Sequence, residues 1–184
     1  YGGGFIMIGG NSAFGKGGYH QTILDRIIPI AMEQDEDSLN VPFKLQLARG
    51  SLSHPIMDIG TTVEETAQIW TTKFPMLYGF NRVGRAKPGA TILAENPAYI
   101  TPYGSGVLLA VQEIGKGRSM AFTSDTTRSW GKDFQTIWGE PKRAGAALTE
   151  RSCDSRYYRQ FWVNAVRWLA SGKMARTNNP VTLE

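Results

Sequence analysis

The hydrophobic residues of this chain come in short blocks, and the spacing within each block predicts an element. Phe5-Ile-Met-Ile8 is an uninterrupted apolar run with glycines on both sides. That is the pattern of a short strand buried on both faces inside a parallel sheet. Such a strand ends at the carboxyl edge of its sheet, where open α/β folds place their ligands. The glycine-rich stretch at 9–19 follows directly, so it marks either a site or a tight structural loop. Residues 22–28 have helical spacing, with Thr22 as N-cap, Asp25 three residues on and Pro29 as the stop. Residues 33–40 are an acidic loop, and the alternation at 42–47 predicts a half-buried strand near a sheet edge. Residues 53–57 read as a turn.

Further along, a helix is predicted from Thr61 or Thr62 through about residue 72. It carries Val63, Ala67 and Trp70 on one face, and Pro75 closes it. Residues 77–83 and 91–94 read as strands around the turn Lys87-Pro-Gly89, and 99–106 as a loop. The β-rich runs 107–114 and 118–123 flank Gly115-Lys-Gly117, which predicts a hairpin. Thr123-Ser-Asp125 then stands at the end of a strand, a good position for a functional group. The stretch 131–153 is basic, polar and irregular, and longer than an ordinary loop. It is expected to be an insertion, a flap or a contact surface. Asp154 and Ser155 cap a final helix over 156–171, with Tyr158, Phe161, Trp162, Ala165, Val166 and Leu169 facing the core and Gly172 at its end. The last residues read as tail, and Leu183-Glu184 as a tag scar.

Length and composition narrow the functional classes. A chain of 184 residues is one domain, with room for a long insertion. The net charge of +4 comes from interspersed acids and bases. The most basic stretch, Lys142-Arg143 with Arg151, Arg156 and Arg159, is interrupted by acids, so nucleic-acid binding is not expected. The single cysteine excludes an internal disulfide and a cysteine-rich zinc site. No apolar run approaches the ~20 residues of a membrane span, so no direct membrane contact is expected from this chain. The compartment stays open.

Candidate chemistry is sparse. Gly10-Asn-Ser-Ala-Phe-Gly-Lys16 matches a phosphate-binding P-loop up to its lysine, but Gly17 stands where that loop needs a Mg²⁺-binding Ser or Thr. Ser12 lies outside any Gly-x-Ser-x-Gly elbow. Cys153 precedes the last helix with no histidine nearby in sequence, and His20 and His54 lack metal-ligand spacing. No metal and no cofactor are expected. Asp125 is either a catalytic acid or base, or a cap on the turn that follows it. Trp130 and Trp138 are either a lid over the core or an exposed contact surface.

Taken in order, several stretches resemble the class I glutamine amidotransferase-like superfamily. They are Gly-Gly-Gly-Phe-Ile-Met-Ile-Gly-Gly10, Ser-x-Phe-Gly-x-Gly-Gly-Tyr19, His54-Pro-Ile, Gly115-Lys-Gly-Arg-x-x-Ala-Phe-Thr-Ser-Asp125 and Phe161-Trp-x-x-Ala-Val-Arg-Trp-Leu169. The nearest branch is similar to the amidotransferase domains of large bacterial proteins that carry von Willebrand factor A-type domains and membrane anchors. A more distant similarity is to trehalose-utilisation-type proteins. The resemblance covers most of residues 1–172. It implies a flavodoxin-like three-layer α/β sandwich, with a mostly parallel sheet plus the hairpin, and with further βα units before Tyr1. It also implies that Gly9-Gly10 matches the loop forming the family's oxyanion hole. The family's cysteine elbow is absent, and its strand-end histidine is missing at Phe122-Thr-Ser-Asp125.

These features together predict an amidotransferase-like domain over 1–174 with a tail after it. The domain is expected to be non-catalytic and to act in binding or assembly with a protein partner or with other domains of its parent, and a small-molecule ligand is compatible with it. The alternative is a hydrolase or sugar-modifying enzyme using Asp125, helped by Ser12 or the Gly9-Gly10 amides. The ligand-binding candidates are Gly9, Gly10, Asn11, Ser12, Asp125 and Trp130.

Overall fold

The computed structural model describes residues 2–33, 37–141 and 153–177. In chain order its strands are β1 (Gly4–Ile8), β2 (Ile30–Ala31), β3 (Ser38–Leu39), β4 (Gln46–Leu47), β5 (Phe80–Asn81), β6 (Arg85–Ala86), β7 (Thr91–Thr101), β8 (Gly104–Ile114) and β9 (Gly117–Phe122). The α-helices are α1 (Ile23–Ile27), α2 (Val63–Gln68), α3 (Lys132–Thr136) and α4 (Arg156–Thr177). Among the described residues the main sheet has the order β1-β9-β8-β7-β4. The chain is an α/β sandwich, as expected, but its main sheet is mostly antiparallel and not mostly parallel. Parallel pairing within the sheet is confined to β1 with β9, while β9–β8, β8–β7 and β7–β4 are antiparallel. The long β7–β8–β9 meander makes most of the sheet from hairpins, which need no crossover helices.

Alternation along the strands sends side chains to two cores. Ile6, Ile8, Met120 and Phe122 face one cluster, which gathers Trp70, Phe74, Phe134, Trp138, Phe161, Ala165 and Leu169. Phe5, Met7, Ala110 and Ala121 face the other, with Phe14, Ile28, Ile30, Met32 and Val83. The helix α4 therefore lies on one face and α1 with its flanking loops on the other. The continuous apolar run of β1 is explained by this two-sided burial.

The hairpin at 114–117 forms as predicted, with Gly115 in the left-handed region (φ 57) of a two-residue turn. Thr22 and Thr62 precede α1 and α2, and the Thr62 hydroxyl accepts the Glu65 amide at 3.1 Å. The buried side of α2 differs from the prediction. Thr66, Ile69 and Trp70 are buried and Val63 is exposed. After Gln68 the helix widens into a π turn over Ile69–Lys73, and Val63 in the first turn projects beyond the core. Residues 99–106 are not a loop: β7 and β8 run to a tight turn at 102–103. Helix α4 passes through Gly172 to Thr177, and Val166 on it is exposed while Tyr157 is buried.

The stretch after Gly131 is less irregular than its composition suggests. Phe134 on α3 and Trp138 are fully buried and pack, tilted by 37°, at 5.3 Å between ring centres. Aromatic side chains in a polar stretch anchor it to the core. Residues 142–152 of the predicted insertion and the tail from 178 lie outside the described residues.

Candidate functional site

The carboxyl edge of the β1–β9 pair is where both the glycine loop and Asp125 emerge. Gly9 N donates to Phe122 O at 2.8 Å and to Ser124 O at 2.9 Å. A Cβ on Gly9 would stand 2.3 Å from Thr123 O, so only glycine admits this approach. The next amide is held differently. Asn81, almost fully buried, accepts from Gly10 N through Oδ1 at 2.9 Å and donates to Gly10 O through Nδ2 at 3.0 Å. Its own N–H donates to Thr123 O at 2.8 Å. Ser124 Oγ adds a bond to Gly79 O at 2.7 Å, and Thr123 Oγ1 one to Val107 O at 2.9 Å. Residues from β1, β5, β8 and the end of β9 are thus laced together by buried polar groups, each of which has its partner.

Asp125 completes this lacing. Its Oδ1 accepts from Gly131 N at 2.6 Å and Thr127 N at 3.1 Å, and its Oδ2 accepts from Thr127 Oγ1 at 2.7 Å. This is an Asx-type turn, in which a carboxylate organises the backbone just after it. Of the two roles read for Asp125, the geometry displays the cap. Trp130 is buried, donates Nε1 to Asn40 Oδ1 at 2.6 Å, and packs against Gly79. Trp130 and Trp138 are therefore parts of the packed interior. Asn11 and Ser12 are exposed on the loop, as are Thr127, Arg128 and Ser129 beyond Asp125.

The glycine loop does not have P-loop geometry. A single 3-10 turn covers Gly15–Gly17, and helix α1 starts only at Ile23. Lys16 Nζ is 2.7 Å from Asp37 Oδ1 and 3.0 Å from Ser38 Oγ. The hydrogen bond from Lys16 is the main reason the Asp37 carboxyl lies below its usual range. Phe14 holds the loop down. It is fully buried with φ 55, in the region that disfavours side chains. Such backbone strain is on the order of 1–3 kcal/mol and persists only where packing over-determines it, here against the aliphatic core.

The histidines lie elsewhere. His20 Nδ1 is 2.8 Å from Met32 O and 3.9 Å from Asp25. His54 accepts from Ile56 N at 3.3 Å and packs on Trp168, whose ring also lies under Arg118. Arg118 is the second residue of β9 and Asp125 follows its end, a separation on the order of 20 Å at strand rise. Burial, and then the Arg118 charge, push His54 below the ordinary histidine range. Cys153 is half-buried and bridges to Pro141. Among the described residues no cluster of His, Cys, Asp and Glu has metal-binding geometry, and no helix is long and apolar enough to cross a membrane.

Asn81 is the edge residue that sequence reasoning missed. It lies in the predicted strand 77–83, and no local motif marks it.

With fold and edge geometry in view, the chain belongs to the family described as "Putative glutamine amidotransferase", which matches residues 1–171. No curated protein matches the chain. Among solved structures it is similar to Cytoplasmic Protein STM1381 from Salmonella typhimurium LT2, with a TM-score of 0.65 and 24% identity over 91% of this chain and 56% of that one. It is also similar to Cytoplasmic Protein STM3548 from Salmonella typhimurium, with a TM-score of 0.64 and 22% identity over 91% and 55%. These likenesses show a shared fold. The chain spans about half the length of either neighbour.

Proposed function

We propose that this chain is an amidotransferase-like domain that binds or assembles within a larger bacterial protein and does not hydrolyse glutamine. The observation that carries this reading is the direction of two amides. Gly9 N and Gly10 N, the oxyanion-hole position by resemblance, donate to Phe122 O, Ser124 O and Asn81 Oδ1. Acyl transfer needs donors aimed at the developing oxyanion and a nucleophile activated by a base. Here the donors point inward, and among the described residues no thiol or histidine is hydrogen-bonded to Gly9, Gly10, Asn81 or Asp125. Asp125 commits three of its roughly four accepting positions to Thr127 and Gly131, which fits a turn organiser. The exposed residues Thr127, Arg128 and Ser129, with Asn11 and Ser12 exposed on the glycine loop, are the surface offered to a protein partner.

Two measurements on the intact parent protein test this. Ammonia release from glutamine is expected at the uncatalysed rate, and enzymatic turnover would overturn the reading. The domain is also expected to bind the remaining parts of its parent when these are supplied separately. Arg128→Glu should weaken that binding by about tenfold, and equal affinity in the variant would remove this surface from the interface.

A further inference from the structure

A pocket of about 400 Å³ lies beside the laced edge, lined by Glu33, Arg82, Val83, Gly84, Tyr99 and the hairpin tip at 101–103. Its volume suits a small ligand. It begins one residue after Asn81, and a break in strand register shapes one wall. The β7–β8 pairing shifts between Asn96 and Ile100, and such bulges re-aim side chains near sites. Tyr99 is turned onto Phe80 at 5.3 Å, and its hydroxyl accepts from Arg82 Nε at 3.2 Å. Thr101 Oγ1 ties the tip by bonds with Gly104 O and Tyr103 N. This leaves Tyr103 64% exposed, with Arg85 at 5.0 Å over its ring. On the facing wall the Glu33 carboxylate lies over Gly84, with Oε1 3.2 Å from where a Cβ on that glycine would be.

We propose that this pocket binds a saccharide. The wall chemistry selects against the other classes. An anion such as a phosphate meets the Glu33 carboxylate. A cation is repelled by Arg82 in the lining and by Arg85, which lies over one face of the Tyr103 ring. A large apolar molecule meets a mostly polar wall. A neutral, hydroxyl-rich ring satisfies all of them: its hydroxyls both donate to a carboxylate and accept from a guanidinium, and its C–H face lies on a tyrosine. The tied tip holds Tyr103 in place before a ligand arrives, which limits the ordering cost of binding. This inference goes beyond the assembly reading and uses none of the residues that carry it, so either can fail alone.

The test is an amide chemical-shift titration of the chain with glucose, galactose, N-acetylglucosamine and cellobiose, with glutamate and inorganic phosphate alongside. The expected result is a saturable shift at 82–84 and 99–103 with at least one saccharide. Affinity should drop about tenfold in Tyr103→Ala or in Glu33→Gln, the loss of one stacking face or one charged hydrogen bond. Tyr103 is exposed, so its replacement leaves folding intact, and Glu33→Gln keeps the side-chain shape. No saturable shift with any saccharide would overturn the proposal. So would a saccharide affinity unchanged in both variants, or saturation by glutamate or phosphate alone.

Discussion

The carboxyl edge of the sheet and the pocket beside it are neighbours with opposite habits. At the edge, Gly9, Gly10, Asn81, Ser124 and Asp125 turn their hydrogen-bonding groups on one another. In the pocket, Glu33 and Tyr103 present theirs outward from exposed positions. The difference teaches that the polar groups at a strand end can be taken up by buried partners while those of a loop beside it face solvent. An amide cannot serve a substrate oxygen while bonded to a buried carbonyl, because breaking that bond leaves the carbonyl unpaired at about 1–3 kcal/mol.

The comparison breaks most visibly at Gly9. Gly9→Val would drive side-chain atoms into Thr123 O, and we expect a loss of more than about 4 kcal/mol in urea denaturation, or no folded protein. A near-neutral result would mean the edge can open after all. Asn81→Ala should cost about 2–4 kcal/mol, since it leaves both polar groups of Gly10 without their partner. Asn81→Asp sharpens the point: it keeps an acceptor for Gly10 N but sets a carboxylate against Gly10 O, so it should rescue little. Asp125→Ala should destabilise by about 1–3 kcal/mol through the three bonds it removes, with the saccharide response of the pocket intact.

At the far end of the sheet, His54 supplies a pH-dependent control. Its folded-state pKa is depressed, by burial first and Arg118 second, so the unfolded chain binds the proton more readily. Stability is therefore full above the ordinary histidine value near 6.5 and declines as pH falls below it. The half-buried ring is partly screened, so the decline should be under about 1 kcal/mol. It should vanish in His54→Gln, measured by thermal melts across that range. The smallest effect belongs to the pocket: Tyr103→Ala should change stability by no more than about 0.5 kcal/mol while weakening saccharide binding. A large stability loss there would make the tip another laced structure and erase the contrast.

Much of the framework was legible from local pattern. The apolar run of β1, the hairpin around Gly115, the helix starts after Thr22 and Thr62, with Thr62 alone capping through its side chain, and the apolar face of α4 carrying Phe161, Ala165 and Leu169 all form. Each rests on periodicity, turn chemistry or capping within a few residues, and these physics are local. The extended hairpin at 99–106 was not legible, because Pro102, Tyr103 and Gly104 read as loop while backbone pairing with β8 decides otherwise. The continuation of α4 through Gly172 was missed for a related reason. A glycine inside a helix costs only about 1 kcal/mol, which packing can override.

By itself the sequence determined β1, the hairpin around Gly115 and the cores of α1, α2 and α4, which family they compose, and that the family's cysteine and histidine are missing from their motifs. Only the tertiary structure decided how the edge residues pair. Asn81 reaches Gly10 across 71 residues of chain, Trp130 reaches Asn40 across 90, and Tyr78 Oη donates to Asp133 across 55. Burial strongly favours a partner for each polar group, but it does not prescribe from how far along the chain that partner comes. Local pattern therefore names the elements, and the closing of their polar groups on each other appears only once the chain has folded.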